Sequence, residues 1–131
     1  MYKLTFTTVA LLAAVLVAFA STAAAREGKG GGSRIVKAGT CSATSHSKLK
    51  AKTDDGRIET EFEVDQNRVG KRWRVTLTLN GSNAFRGIKR TTAPSGSFEV
   101  RRLLAGAAGS RIVATAKSLS GGETCRASIS L

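Results

Sequence analysis

Polar and apolar residues alternate along most of the chain beyond residue 40, most strictly in Arg72-Trp73-Arg74-Val75-Thr76-Leu77-Thr78-Leu79. Trp73, Val75, Leu77 and Leu79 fall on one side of an extended backbone, and Arg72, Arg74, Thr76 and Thr78 on the other. A period of two predicts a half-buried antiparallel strand, and Asn80-Gly81 supplies a turn at its end. Trp73, the only tryptophan, is expected at the centre of the core. Comparable alternation predicts seven strands, over about 41–52, 57–65, 71–80, 84–91, 97–104, 111–118 and 123–130. No segment after residue 25 carries the ~3.6-residue period of a helix, so the fold is expected to be all-β.

Short turns also predict which residues face each other. Thr53-Asp54-Asp55-Gly56 is read as a four-residue turn, setting Lys52 opposite Arg57, Lys50 opposite Glu59 and Lys48 opposite Glu61. The same register places Leu49 by Thr60 and Ala51 by Ile58. Both faces are then satisfied, and a slip by one residue would turn Phe62 and Val64 to water. In the last hairpin, Ser118 opposite Glu123 brings Ile112 to Ile129, Ala114 to Ala127 and Ala116 to Cys125. Phe85 and Ile88 differ in parity, and Gly87 between them predicts a bulge that returns Ile88 to the inner face.

The first residues follow a different logic. Lys3 precedes an apolar run from Leu4 to Ala20, and Ala23-Ala24-Ala25 offers the small residues of a cleavage site. Residues 1–25 are therefore expected to be a signal peptide, cut after Ala25. The run is shorter than the ~20 residues of a bilayer span, so no integral membrane segment is expected after cleavage. The mature protein is expected to be secreted, extracellular or associated with the cell wall. Residues 26–39 are a flexible linker or a short edge strand, the strand alternative resting on Arg34 to Val36, and 40–131 form one β-sandwich domain. Cys41 and Cys125 are the only cysteines and are expected to pair in an oxidising compartment. The loop they close is worth roughly 4 kcal/mol in the chain-entropy model. Two cysteines and the lone His46 are too few for a zinc site, and no metal or cofactor is expected.

Seven short alternating strands with Trp73 on the third resemble the immunoglobulin and fibronectin type III superfamily. The resemblance implies a single seven-stranded antiparallel immunoglobulin-like sandwich, with strands 4, 3, 6 and 7 in one sheet and 1, 2 and 5 in the other. The cysteines depart from the immunoglobulin pattern, standing on the first and last strands rather than the second and sixth. Those strands are neighbours in that topology, so the bridge remains geometrically reasonable. Asp54-Asp55-Gly56-Arg57-Ile58-Glu59, Trp73-Arg74-Val75-Thr76-Leu77, Ser97-Phe98-Glu99-Val100-Arg101 and Gly122-Glu123-Thr124-Cys125 are also similar to small exported actinobacterial proteins of unassigned function, over roughly residues 39–131. That likeness implies a fold and an export route, and no chemistry.

Charge adds the functional clue. Lys and Arg number 21 against 9 Asp and Glu, a net charge of +12 that becomes +11 without Lys3. The outward positions of strands 3, 4, 6 and 7 are Arg72, Arg74, Thr76 and Thr78; Arg86 with Lys89 or Arg90; Arg111, Val113, Thr115 and Lys117; and Thr124, Arg126, Ser128 and Ser130. None is acidic. The other sheet sets Lys48, Lys50 and Lys52 beside Glu59, Glu61, Glu63 and Glu99. Guanidinium forks among hydroxyls grip phosphate, sulfate or carboxylate polymers through bidentate bonds. The candidate anion-binding residues are therefore Arg72, Arg74, Arg86, Arg111, Lys117 and Arg126, and the expected partner is a wall polymer, an anionic headgroup or extracellular nucleic acid. Trp73, Phe62, Phe85 and Phe98 all fall on inward positions, which weakens the case for base stacking.

Catalysis finds little support. His46 stands at a strand start near lysines and is read as a surface residue. A Ser-His-Asp site needs an orienting carboxylate and an oxyanion loop, and no Gly-x-Ser-x-Gly is present. Glu59, Glu61 and Glu63 share a face at ~6.8 Å steps, a spacing open to a glycosidase pair, but lysines oppose them. Asp54-Asp55-Gly56 and Asp65-Gln66-Asn67 are turn compositions that match no calcium loop. The chain is read as a non-enzymatic, monomeric module. The alternative is a protein–protein module, such as a protease inhibitor or structural wall protein, acting through loops such as Thr92 to Ser97.

Overall fold

Each alternating segment gathers its apolar side chains on one face, and two such faces can only be buried against each other. The computed structural model describes residues 32–131; the expected signal peptide, 1–25, and linker residues 26–31 lie outside them. The described residues form nine strands: β1 (Arg34–Ala38), β2 (Thr40–Cys41), β3 (His46–Asp54), β4 (Arg57–Asp65), β5 (Arg72–Leu79), β6 (Ser82–Arg90), β7 (Ser97–Ala105), β8 (Arg111–Ser118) and β9 (Thr124–Ser130). They pair into two antiparallel sheets, β1-β3-β4-β7 and β2-β9-β8-β5-β6. The expected division is kept, since predicted strands 1, 2 and 5 are β3, β4 and β7, and predicted strands 4, 3, 6 and 7 are β6, β5, β8 and β9.

Nine strands replace the expected seven for two reasons. Arg34–Ala38 is a strand, pairing with β3. The segment predicted as one strand over 41–52 is broken at residues 42–45, so Cys41 belongs to β2 while His46 begins β3. Between β1 and β2 the chain crosses from one sheet to the other at Gly39. A Cβ there would stand 2.2 Å from Ser47 Oγ and 2.7 Å from Arg126 O, so this close approach admits only glycine. β2 then pairs with β9, Cys41 directly opposite Cys125, and the two are joined by the disulfide.

The core lies between the sheets. Leu49, Ala51, Ile58, Phe62 and Val64 from one side meet Trp73, Val75, Leu77, Ile112 and Ile129 from the other, all essentially without solvent contact. Trp73 spans the gap to Phe98, ring centroids 6.2 Å apart and planes tilted by 53°. Its indole Nε1 donates to Gln66 Oε1 at 3.0 Å, which satisfies the ring's one polar atom. Ala114, Ala116 and Ala127 line the same layer, and their small size leaves the volume that the indole takes. At the margin where β6 and β7 end their sheets, the Arg102 guanidinium lies 4.2 Å over the Phe85 ring, a cation–π contact that closes the edge.

Two registers test the expectations. The last hairpin holds as expected, with Ile112 opposite Ile129, Ala114 opposite Ala127 and Ala116 opposite Cys125. The first hairpin is offset by two residues: Lys52 faces Glu59, Lys50 faces Glu61 and Lys48 faces Glu63, with Leu49 by Phe62 and Ala51 by Thr60. The turn is the two residues Asp55-Gly56, both at positive φ (46° and 73°), the conformation that matches strand twist in a tight hairpin. The expected bulge at Gly87 is also corrected. Pairing with β5 is continuous from Phe85 to Arg90, and the irregularity falls between Leu77 and Thr78. A Cβ on Gly87 would stand 2.8 Å from Phe85 Cζ, so the ring folds over the glycine, and Ile88 points outward, 48% exposed.

The lysine–glutamate ladder leaves one group with a displaced titration. The Lys50 ammonium, bonded to Glu61 at 2.5 Å, holds that carboxyl below its ordinary value of 4.5 against the opposing effect of burial, with Glu99, Lys50 and Arg101 adding smaller effects. A lowered folded value stabilises the protein above the ordinary value, and the contribution disappears as pH falls through the folded one. Glu61→Gln is expected to destabilise modestly at neutral pH and to flatten the acid limb of stability below about pH 4.5. Urea midpoints across that range check this, and parallel acid limbs would rule it out.

Candidate functional site

The five-stranded sheet turns its second face to water. Its strands hold eight basic residues and no acidic one, whereas the four-stranded sheet holds eight basic and six acidic. The ion pairs among the described residues, Lys48–Glu63, Lys50–Glu61, Arg101–Glu61 and Arg101–Glu99, all lie on the four-stranded sheet. Neutralisation is thus confined to one side of the sandwich.

Arg72, Arg74, Arg86, Arg111, Lys117 and Arg126 are all exposed on this outer face. The register fixes their mutual placement. Arg74 stands between Ile88 on β6 and Lys117 on β8, and Thr124 follows on β9. One step along, Arg86, Thr76, Thr115, Arg126 and Thr40 form a row across all five strands. At a strand spacing of ~4.8 Å, Arg86 and Arg126 are about 14 Å apart across two threonines. Half-buried Thr76, Thr78, Val113 and Thr115 make a low floor, and the longer cationic side chains form its rim.

Two of the six stand apart from this centre. Arg111 sits at the far end, opposite Ser130, with its backbone N donating to Asn80 Oδ1 at 2.8 Å. Arg72 sits at the other end of β5, about 27 Å away at ~3.4 Å per residue. Arg72 faces Arg90 directly, and Arg90 rather than Lys89 is the outward residue of the pair left open by the sequence. Thr40, on the short strand β2, is the other contributor that alternation from residue 41 onward did not reach. An uninterrupted parity count along β6 would have found Arg90, since Arg86, Ile88 and Arg90 share one face.

The remaining candidates resolve into structural roles. His46 is exposed at the start of β3, paired with Asp65. Glu61, Glu63 and Glu99 offer oxygens within 4.8 Å of one another, yet Lys48, Lys50 and Arg101 already engage them. Asp65 Oδ1 accepts from Asn67 N at 2.9 Å, an ordinary Asx turn. Glu123 accepts from Ser45 N and Oγ at 2.9 and 2.8 Å and so ties the β2–β3 loop to β9. The Thr92–Ser97 loop is pinned at its base, where Thr92 N donates to Ser97 O (2.9 Å) and Gly96 N to Thr92 O (2.8 Å). Compared with protein families, curated proteins and solved structures, the chain matches no family model, no curated protein and no solved structure.

Proposed function

We propose that this is a secreted, non-enzymatic module of immunoglobulin-like type that binds an anionic extracellular polymer across the outer face of its five-stranded sheet. The observation that carries the proposal is the complete separation of acid from that sheet: eight basic residues, interleaved with threonine and serine, and no carboxylate on any of its strands. Self-repulsion of this kind is tolerated where a polyanion completes the surface. Export is supported by the Cys41–Cys125 bridge, and the immunoglobulin-like assignment by the orders β3-β4-β7 and β6-β5-β8-β9. A hydroxyl floor without exposed aromatic rings favours a polyol-phosphate or acidic wall polymer over nucleic acid, whose single strands bind by base stacking.

Charge-driven binding releases counterions, so log affinity falls linearly with log salt. Arg74→Ser/Arg126→Ser removes a cation from the centre and one from the rim. The double variant is expected to elute from an immobilised teichoic-type polymer at lower salt, with the slope of the salt dependence reduced by about 2. Unchanged retention and slope would show that the face has been misassigned.

A further inference from the structure

At one end of the five-stranded sheet, two arginines face each other with no acid beside them. Arg72 on β5 and Arg90 on β6 are direct partners in the register, both exposed on the outer face. Like charges directly opposite on neighbouring strands are destabilising, and no carboxylate on this sheet offsets them. The backbone around them is held in place. Gly70 takes φ 82°, a left-handed conformation that favours glycine, and Arg90 Nη1 lies 4.0 Å from where a Cβ at residue 70 would stand, which places the guanidinium beside the loop. Gly70 N donates to Thr91 O (2.8 Å) and Lys71 N to the Oγ1 of the same buried threonine (2.8 Å). Opposite this loop, Leu119 N donates to Arg72 O (2.9 Å), and Ser120 N and Gly121 N donate to the Oγ of buried Ser118 (3.4 and 3.2 Å). The two fixed turns flank a shallow recess of about 280 Å³, open to solvent and lined by Gly70, Lys71, Arg72, Leu119 and Ser120; Arg90, outside the lining, borders it at Gly70.

We infer that this recess is a discrete subsite for a tetrahedral oxyanion, a phosphate-type group gripped between the guanidinium forks of Arg72 and Arg90, with Lys71 and Ser120 lining the space beneath. Paired planar forks suit such a group because each presents two parallel donors, which an ammonium cannot. The subsite rests on the reading of this face as anion-binding and narrows it, since the open face spreads its cations along a polyanion while Arg72 and Arg90 stand opposite each other at one point. Such a phosphate has two sources, a free or polymer-borne group and a phospholipid headgroup. Val69 and Leu119, 56% and 40% exposed, stand on the two turns and would be the first side chains to meet a bilayer.

Titration of the protein with inorganic phosphate at low ionic strength, followed through the amide resonances of Gly70, Lys71, Leu119 and Ser120, is expected to saturate. Arg72→Gln and Arg90→Gln are each expected to weaken the affinity about tenfold or more, and Arg72→Lys to weaken it also, because a point charge does not replace the fork. Both glutamine variants are expected to keep or raise the Tm, since each relieves the repulsion between directly opposed arginines, and this separates lost binding from lost structure. A second arm uses phosphatidylglycerol vesicles in a phosphatidylcholine background. Vesicle binding that falls with Val69→Ser/Leu119→Ser assigns the phosphate to a headgroup, and no vesicle binding assigns it to a free or polymer-borne group. Shifts that never saturate, or an affinity indifferent to both glutamine variants, overturn the subsite. If that happens while polymer retention still depends on Arg74 and Arg126, only the recess falls; if phosphate binding survives while retention ignores those two residues, only the wider face does.

Discussion

Trp73→Ala is expected to lower the folding free energy by about 3–5 kcal/mol, a large part of the ~5–15 kcal/mol that holds a small domain together. The indole is fully buried and crosses from β5 to Phe98 on β7, so its loss opens a cavity between the sheets instead of a dent in one of them. The alanines on β8 and β9 are too short to fill it, and the sheets cannot close while Phe62, Ile58 and Leu49 hold them apart. Urea denaturation measures the loss. Trp73→Phe separates the two contributions: it keeps most of the apolar volume but removes the Nε1 donor to Gln66, and is expected to cost about 1–2 kcal/mol. The consequence reaches the outer face, because Arg72 and Arg74 flank this residue on the same strand. A cost below about 1 kcal/mol for Trp73→Ala would contradict the central position of the indole, given that cavities of this kind usually cost several times more.

The sandwich was legible in the chain because parity is a strong constraint. In β5, β8 and β9 one set of side chains, Ser118 apart, is apolar and the other, Val113 apart, is polar, so the outward positions, and with them Arg74, Lys117 and Arg126, follow without knowledge of the fold. Register was harder where two solutions share a parity. Sliding β3 against β4 by two residues keeps Leu49 and Phe62 inside, so the apolar pattern could not choose, although the observed register matches all three lysines with glutamates where the expected one set Lys52 against Arg57. The turn chooses, since Asp55-Gly56 reaches the left-handed conformation that a two-residue hairpin needs. The reading of Ile88 as an inward residue failed because an edge strand has fewer partners to demand burial. Phe85, folded over Gly87, covers that stretch alone, and Arg90 consequently emerges on the outer face beside Arg72. β1 and β2 left almost no periodic trace. They are short, interrupted by Gly39, and held by contacts to β3 and β9 that only the folded molecule brings near.

Replacing both cysteines, Cys41→Ala/Cys125→Ala, is expected to cost about 4 kcal/mol and to loosen one place before the rest. The residues are 84 apart in sequence, so the bridge removes much of the freedom of the unfolded chain. In the folded protein it fastens the first crossing strand to the last. β2 has only two residues paired with β9, supported by Ser42 N donating to Thr124 O at 2.9 Å and by Thr124 N donating to Ser42 Oγ at 2.9 Å. Without the covalent tie, two pairs at a sheet edge cannot hold β2, whereas β1 keeps five paired residues with β3. Urea denaturation of the variant measures the global loss, and hydrogen exchange the local one, with the Ser42 amide expected to approach the rate of an open chain while those of β5 and β8 stay protected. Because Thr40 ends the row that begins with Arg86, release of β2 also shortens the hydroxylated floor on the Arg126 side, and polymer retention should fall slightly with all arginines in place. A global loss below about 1 kcal/mol would mean that the unfolded chain is already confined by other contacts, contrary to the chain-entropy account.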